Sequence, residues 1–142
     1  MRIVTETLVL ETDQHVGLTD LTSKVKESVA RSEIQDGIVN VFTMHTTTAV
    51  FLNESQDALM DDMRHCLTSL VDDSGWYKHN SPQFSDCDRR NATSHLRSML
   101  LGNSATLHVE NGSLVLGPFQ SVLFAELDGP RERQVRVQVM GE

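Results

Sequence analysis

The sequence predicts an α+β fold built mostly on antiparallel sheet. Three observations carry that expectation. Short β-branched runs outnumber helical stretches, roughly seven or eight to three, and the helices sit between blocks of strands instead of alternating with them one by one. Asn111-Gly112 between two apolar runs is a strong hairpin signal. In the last strand Val135, Val137 and Val139 alternate with Arg136 and Gln138, which gives it one wet face.

The elements follow in order. RIVTETLVLE at 2–11 is rich in β-branched residues and reads as a strand. After a connection at 15–17, Leu18, Leu21, Val25 and Val29 recur at helical spacing with Thr19 as the expected cap. IVNVFTM at 38–44 and TAVFL at 48–52 read as strands. Ser55 is placed to cap a second helix whose apolar stripe is Leu59, Met63, Cys66, Leu67 and Leu70, with Asp57, Asp61 and Asp62 in its first half, where the helix dipole favours them. Residues 72–91 are irregular and contain the only Trp and the only Tyr; long irregular segments in compact domains are often functional. A short helix over 92–101 stops at Gly102. Strands follow at 106–109, 114–116, 119–127 and 134–140.

A chain of 142 residues with no repeat or linker reads as one domain, residues 1–142. Its net charge of −8, with the basic residues dispersed, disfavours non-specific binding to nucleic acid or an anionic membrane. No apolar run is long enough to span a bilayer, and the alternating N-terminus does not look like a signal peptide. Cys66 and Cys87 lie 21 residues apart without a CxxC, so two free thiols in a reducing cytoplasm are expected, Cys66 in the core. An aromatic content of 5% disfavours a scaffold with a large apolar docking face.

Six histidines are many for such a chain. His45 (in MHTTTAV), His79 (in YKHNSP) and His95 (in ATSHL) sit among small polar residues, the setting of metal ligands or acid–base groups; three imidazoles plus water would make an open, catalytic type of metal site. Their spacing matches no local signature, and hydrogen-bonded surface histidines would look the same. His15, His65 and His108 read as ordinary. The hydroxyls of Thr46, Thr47 and Thr48 follow His45 and could donate to an anion, although threonine also simply suits a strand. Asn53 and Glu54 end a strand before a helix, where Glu54 is either a dipole partner or a general base. Gln120, Glu126 and Asp128 share a phase with Val122 and Phe124, so buried carboxylates with partners are expected. Arg131 can pair with Glu126 or Asp128, or clamp a carboxylate or phosphate.

The strings HTTTAVFLNE (45–54), YKHN (77–80), NATSHLRSMLLGNS (91–104), GSLVLGPFQ (112–120) and ELDGPRERQVRVQVMG (126–141) together resemble, in order and spacing, the YjbQ family. These are small cytosolic proteins assigned a secondary thiamine-phosphate synthase activity. The resemblance covers essentially the whole chain. It implies an α+β sandwich of two sheets with helices, a homotrimer, and a polar set at His45, Thr47, Asn53, Glu54, His79, Asn80, Asn91, His95, Gln120, Asp128 and Arg131. Phe119 stands where the family usually has Trp.

The expectation is therefore a small cytosolic enzyme acting on a phosphorylated small molecule, with the thiamine-phosphate transferase activity as the resemblance implies it. His45, His79 and His95 would hold a divalent metal or exchange protons, Glu54 and His79 being the catalytic candidates. Thr47, Asn53, Asn80, Asn91, Gln120, Asp128 and Arg131 would bind substrate. The chain has no Gly-rich phosphate loop and no aspartate motif for magnesium, so zinc or another transition metal suits it better. The alternative is a non-catalytic trimer that binds a small anionic metabolite.

Overall fold

A computed structural model covers residues 1–142. Strands β1 (Arg2–Glu11), β3 (Gly37–Thr43), β5 (Ser104–Glu110), β6 (Ser113–Leu114) and β8 (Glu132–Gly141) form a five-stranded sheet in the order β1-β8-β3-β5-β6. Strands β2 (Gly17–Asp20), β4 (Thr48–Asn53) and β7 (Ser121–Glu126) form a second sheet in the order β2-β7-β4. Every pairing is antiparallel. The helices are α1 (Thr22–Ser32), α2 (Asp57–Leu70) and α3 (Ala92–Leu101). The α+β sandwich of two sheets is thus as expected.

Period-two patterning builds the core. Val39 and Val41 of β3, Leu107 and Val109 of β5, and Val135, Val137 and Val139 of β8 point inward onto Val50 of β4 and Val122 and Phe124 of β7. Burying each such side chain contributes about 1.5–3 kcal/mol. Leu21, Val25 and Val29 of the α1 region join this core. The other face of the three-stranded sheet carries Ala49, Ala125 and Leu127, which pack with Leu67 of α2 and Leu101 of α3. Strand β7 is therefore covered on both faces, and the polar residues at its end lie in a dry setting.

Three local readings are corrected. Leu18 and Thr19 lie in β2, because pairing with β7 outweighs the helical spacing; α1 starts at Thr22, whose amide the Asp20 carboxylate accepts at 2.9 Å. Helix α2 is capped by Gln56 instead of Ser55, the Gln56 side chain accepting the Leu59 amide at 2.8 Å. Cys66 is exposed and Leu67 alone of α2 is buried; Leu59 and Met63 are half-buried and Leu70 is exposed, so the helix lies shallowly on the sheet and the Cys66 edge of its apolar stripe faces water.

Residues 72–91 are irregular as expected, apart from a 3-10 turn at Lys78–Asn80. They cross in front of the α3 N-terminus and are tied there. Arg97, fully buried on α3, donates to the carbonyls of Leu67 (3.3 Å) and Val71 (2.7 Å) and pairs with Asp73 at 3.2 Å. Asp73 also accepts from Thr93 at 2.7 Å.

Candidate functional site

Register brings the site together. Thr48, the first residue of β4, pairs with Glu126, the last of β7, so His45, Thr46 and Thr47 lie beside the turn from Leu127 to Arg131 that leads into β8. The Thr47 carbonyl accepts the Leu127 amide at 3.1 Å. The N-terminus of α3 and the 3-10 turn approach the same sheet end and bring Asn91, His95 and His79.

The floor is a closed ion pair. Glu126 (2% exposed) accepts from Arg133 (1% exposed) at 2.8 Å (Nε) and 2.6 Å (Nη2), from the Thr12 hydroxyl at 2.8 Å, and from the Asp128 amide at 3.1 Å. Burial opposes ionisation of Glu126, but these donors hold its carboxyl below the usual range. Arg133 Nη2 also donates to Thr47 Oγ1 at 2.8 Å. Thr47 is therefore buried and engaged within the protein. Of the two partners open to Arg131, the structure selects Asp128, at 3.7 Å.

Above that floor Asp128 gathers the rest. Its Oδ2 accepts from Arg89 Nε and from Asn91 Nδ2, each at 2.9 Å. His15 Nδ1 stands 4.0 Å from Oδ1 and 3.2 Å from the Gly129 carbonyl. Burial works to raise the Asp128 carboxyl, yet the Arg89 and Asn91 hydrogen bonds keep it below the usual range. Two guanidiniums, Arg89 and Arg131, face this one carboxylate.

Two of the three histidines meet. The His79 and His95 rings stand edge to face, with centroids 4.9 Å apart. His79 Nε2 lies 3.0 Å from Asn91 Oδ1. Since Asn91 turns its NH2 to Asp128, its Oδ1 is an acceptor and His79 Nε2 is the donor, the tautomer in which Nδ1 carries the lone pair. Burial, then the neighbouring His79, lower the proton affinity of His95. His45 is turned away: its Nε2 accepts the Gln134 amide at 3.0 Å, and burial followed by Arg133 and Arg131 lowers its proton affinity too. His45 and His95 nevertheless line one cavity of about 510 Å³ with Phe42, Thr46 and Met99.

The donor set does not match a three-histidine metal site. No group of three or more His, Cys, Asp or Glu side chains is arranged to hold a metal ion. His79 and His95 offer two ring nitrogens, half of a tetrahedral zinc shell, and His45 would have to release the Gln134 amide to supply its Nε2.

Of the remaining candidates, Asn80 adjoins this cluster and the others lie elsewhere within the chain. Asn80 Oδ1 accepts the Ala92 amide at 3.0 Å and so caps α3. Asn53, which pairs with Ser121, stands at the far end of β4, five residue steps or about 17 Å of extended strand from Thr48. Glu54 and Gln120 adjoin that far end. There the Glu54 amide donates to Asn53 Oδ1 at 2.8 Å, and Gln120 Oε1 accepts the Gly117 amide at 2.9 Å. Within the chain, then, Asn53, Glu54 and Gln120 do not share the histidine pocket.

Arg133, Arg89 and His15 complete the cluster without having been singled out in the sequence. Arg133 carried a signal, since it shares the inward phase of Val135, Val137 and Val139. Arg89 and His15 carried none.

Comparison with known proteins now bears on the whole chain. Residues 6–142 match the family model described as UPF0047 protein YjbQ-like. The chain belongs to the YjbQ-like family. It is 44% identical, over its full length and 95% of the relative, to a UPF0047 protein of Methanothermobacter thermautotrophicus. A UPF0047 protein of Archaeoglobus fulgidus is 41% identical over 94% of this chain and 98% of its own. Among solved structures, a protein of unknown function from Sulfolobus solfataricus superimposes with a TM-score of 0.92 at 32% identity, covering 99% of both chains. A YjbQ/UPF0047-family protein from Clostridium acetobutylicum gives 0.86 at 31% identity, covering 95% of this chain and 99% of its own. These YjbQ-like relatives share the sandwich, and their names assign no activity. No helix of the chain is long and apolar enough to cross a membrane.

Proposed function

We propose that the Asp128–Asn91–His79 chain, with His95 against it, is the acid–base centre of an enzyme acting on a phosphorylated small molecule. The observation that carries this reading is the hydrogen-bond chain that makes His79 Nε2 a donor. Asp128 orients Asn91, Asn91 accepts from His79 Nε2, and Nδ1 is left free as a base. In this reading the attacking water or hydroxyl gives its proton to His79 Nδ1 as its oxygen bonds to phosphorus, the P–O bond to the departing group breaks, and that group leaves with the bonding pair and is protonated by solvent water. Arg89 and Arg131, both partly exposed, hold the phosphoryl oxygens. The route uses these side chains alone and assigns no step to a metal.

Asn53, Glu54 and Gln120 enter the same reading through assembly. A homotrimer is the arrangement in which the far end of β4 from one copy completes the histidine cluster of the next.

The test is turnover of a panel of phosphate esters, including the pyrimidine pyrophosphate and thiazole phosphate pair that the resemblance implies. Phosphate or pyrophosphate release would be compared between the wild type, His79→Ala and Arg131→Met. The reading predicts that one member turns over, that His79→Ala removes turnover while sparing affinity, and that Arg131→Met weakens affinity. Binding without turnover by any member would leave an anion-binding protein, and no binding would discard the site.

A further inference from the structure

Both sheets end in edge strands, β1 and β6 in one and β2 and β4 in the other. Strand β6 has two residues, β2 four and β4 six, whereas β1 has ten. Strand β1 pairs with β8 from Arg2↔Gly141 to Glu11↔Glu132 without a bulge, and its other side meets no strand of the chain. The amides and carbonyls of alternate residues on that side are therefore open to a further strand.

Free edges are ordinarily blunted by shortness, a proline, an outward lysine or a bulge. Strand β1, RIVTETLVLE, has none of these. Its outer face instead presents Ile3 (57% exposed) and Val9 (54% exposed), with Thr5 and Thr7 between them. All four are β-branched, the residue type that suits strand pairing best. On its inner face Val4 and Leu8 pack against the main core yet are only half-buried. Between them, Glu6 accepts from Arg31 twice at 2.8 Å and from the Ser28 hydroxyl at 2.6 Å. The apolar interior thus runs out to the edge of the sheet.

The strand is also complementary to its own reverse. Directly opposite residues of an antiparallel pair point to the same face. Two copies that continue one sheet must therefore match odd positions with odd and even with even. The register centred on Glu6 sets Ile3 against the partner's Val9, Thr5 against the partner's Thr7 and Val4 against the partner's Leu8. These are β-branched, hydroxyl and aliphatic pairs, each of a stabilising kind. Moving the centre to Thr5 or Thr7 would set Ile3 against a threonine or a glutamate instead. At the centre Glu6 meets its own copy, each carboxylate already neutralised by its Arg31.

We propose that β1 is a self-association edge, at which two copies of this chain pair antiparallel about a twofold axis through Glu6. The two five-stranded sheets then become one of ten strands, joined by about ten backbone hydrogen bonds. The half-covered Val4 and Leu8 of each copy meet the partner's, so the two cores become continuous. This contact owes nothing to the chemistry of the histidine cluster. It is twofold and lies on the five-stranded sheet, whereas the threefold arrangement above uses the ends of β4 on the other one.

The experiment measures the mass of the full-length protein by light scattering during gel filtration, with urea midpoints as the check on folding. The wild type should contain an even number of chains. Ile3→Lys with Val9→Lys alters two exposed side chains, so it should halve that number while leaving the urea midpoint of the separated chains in place. Cross-linking tests the register. Ile3→Cys with Val9→Cys, in a Cys66→Ser/Cys87→Ser chain oxidised with copper phenanthroline, should give a covalent dimer, since the two thiols face each other across the axis. Either cysteine alone should give none. An odd number of chains in the wild type, an unchanged number in the lysine variant, or no disulfide in the paired cysteine variant would overturn the proposal. A covalent dimer formed equally well by Ile3→Cys alone would overturn it too.

Discussion

His79 donates from Nε2 to Asn91 Oδ1 across 3.0 Å, although the two lie twelve positions apart in the chain. The same carboxamide donates to Asp128 at 2.9 Å, so Asn91 fixes the direction of an imidazole and of a carboxylate at once.

Asn91→Ala should therefore damage function more than fold. It removes one hydrogen bond to His79 and one to Asp128, costing about 1–3 kcal/mol in urea denaturation. The freed imidazole loses its fixed tautomer, and turnover should fall by about a hundredfold. A variant with full turnover would remove Asn91 from the centre.

Glu126 and Arg133 should fail together. Glu126→Ala leaves a fully buried guanidinium without its carboxylate and should cost about 3–5 kcal/mol, while Glu126→Leu with Arg133→Met should recover part of that loss. Denaturant midpoints of the single and double variants decide it; an additive loss in the double variant would contradict the coupling.

Stability should fall in two stages on acidification. His45 and His95 bind protons less readily in the folded chain, through burial first, then through Arg133 and Arg131 for the former and His79 for the latter. The unfolded chain takes up these protons first, so their contribution is complete above about pH 6.5 and is lost as pH falls through their folded values. Glu6 behaves alike at lower pH. The Arg31 and Ser28 hydrogen bonds hold it at about 2 against an ordinary 4.5, so its contribution fades between those values. Urea midpoints measured from about pH 8 to pH 3 should show both limbs, and the paired His45→Gln/His95→Asn variant should lack the upper one.

Gly129→Ala should be poorly tolerated. A Cβ there would strike the Gln14 carbonyl and approach Glu126 Cγ to 2.6 Å, so the turn that carries Asp128 would have to move. A loss of at least about 2 kcal/mol is expected, with weaker phosphate binding in calorimetry. Wild-type values for both would show that the turn has slack.

Arg97→Met should loosen the segment that holds Trp76 and His79. It takes one donor away from the Leu67 and Val71 carbonyls and from Asp73, at about 2–4 kcal/mol, and limited proteolysis should then cut first between residues 72 and 91. An unchanged cleavage pattern would show that other contacts anchor the segment.

The strands were legible in the sequence because alternation survives in one dimension. Val135, Val137 and Val139 announced their inward face, and Arg133 in the same phase was a readable sign of a buried cation. His79 and His95 stood out by their polar surroundings. The contacts that complete the cluster were not readable, since Arg89 and His15 reach Asp128 from exposed, irregular chain that follows no period. Leu18 and Thr19 misled because helical spacing is a local property and pairing with β7 is not. Cys66 misled because periodicity gives the direction of a side chain but not whether another element lies there.

Strand β4 has one further consequence. Beginning at Thr48 and ending at Asn53, it acts as a ruler between two sets of polar groups. Adding one residue would reverse which side of the sheet the far set occupies, whereas adding two would keep the side and extend the reach by about 7 Å. Any geometry in which the two ends cooperate is thus quantised by the backbone, and length variation in this strand should occur only in even steps.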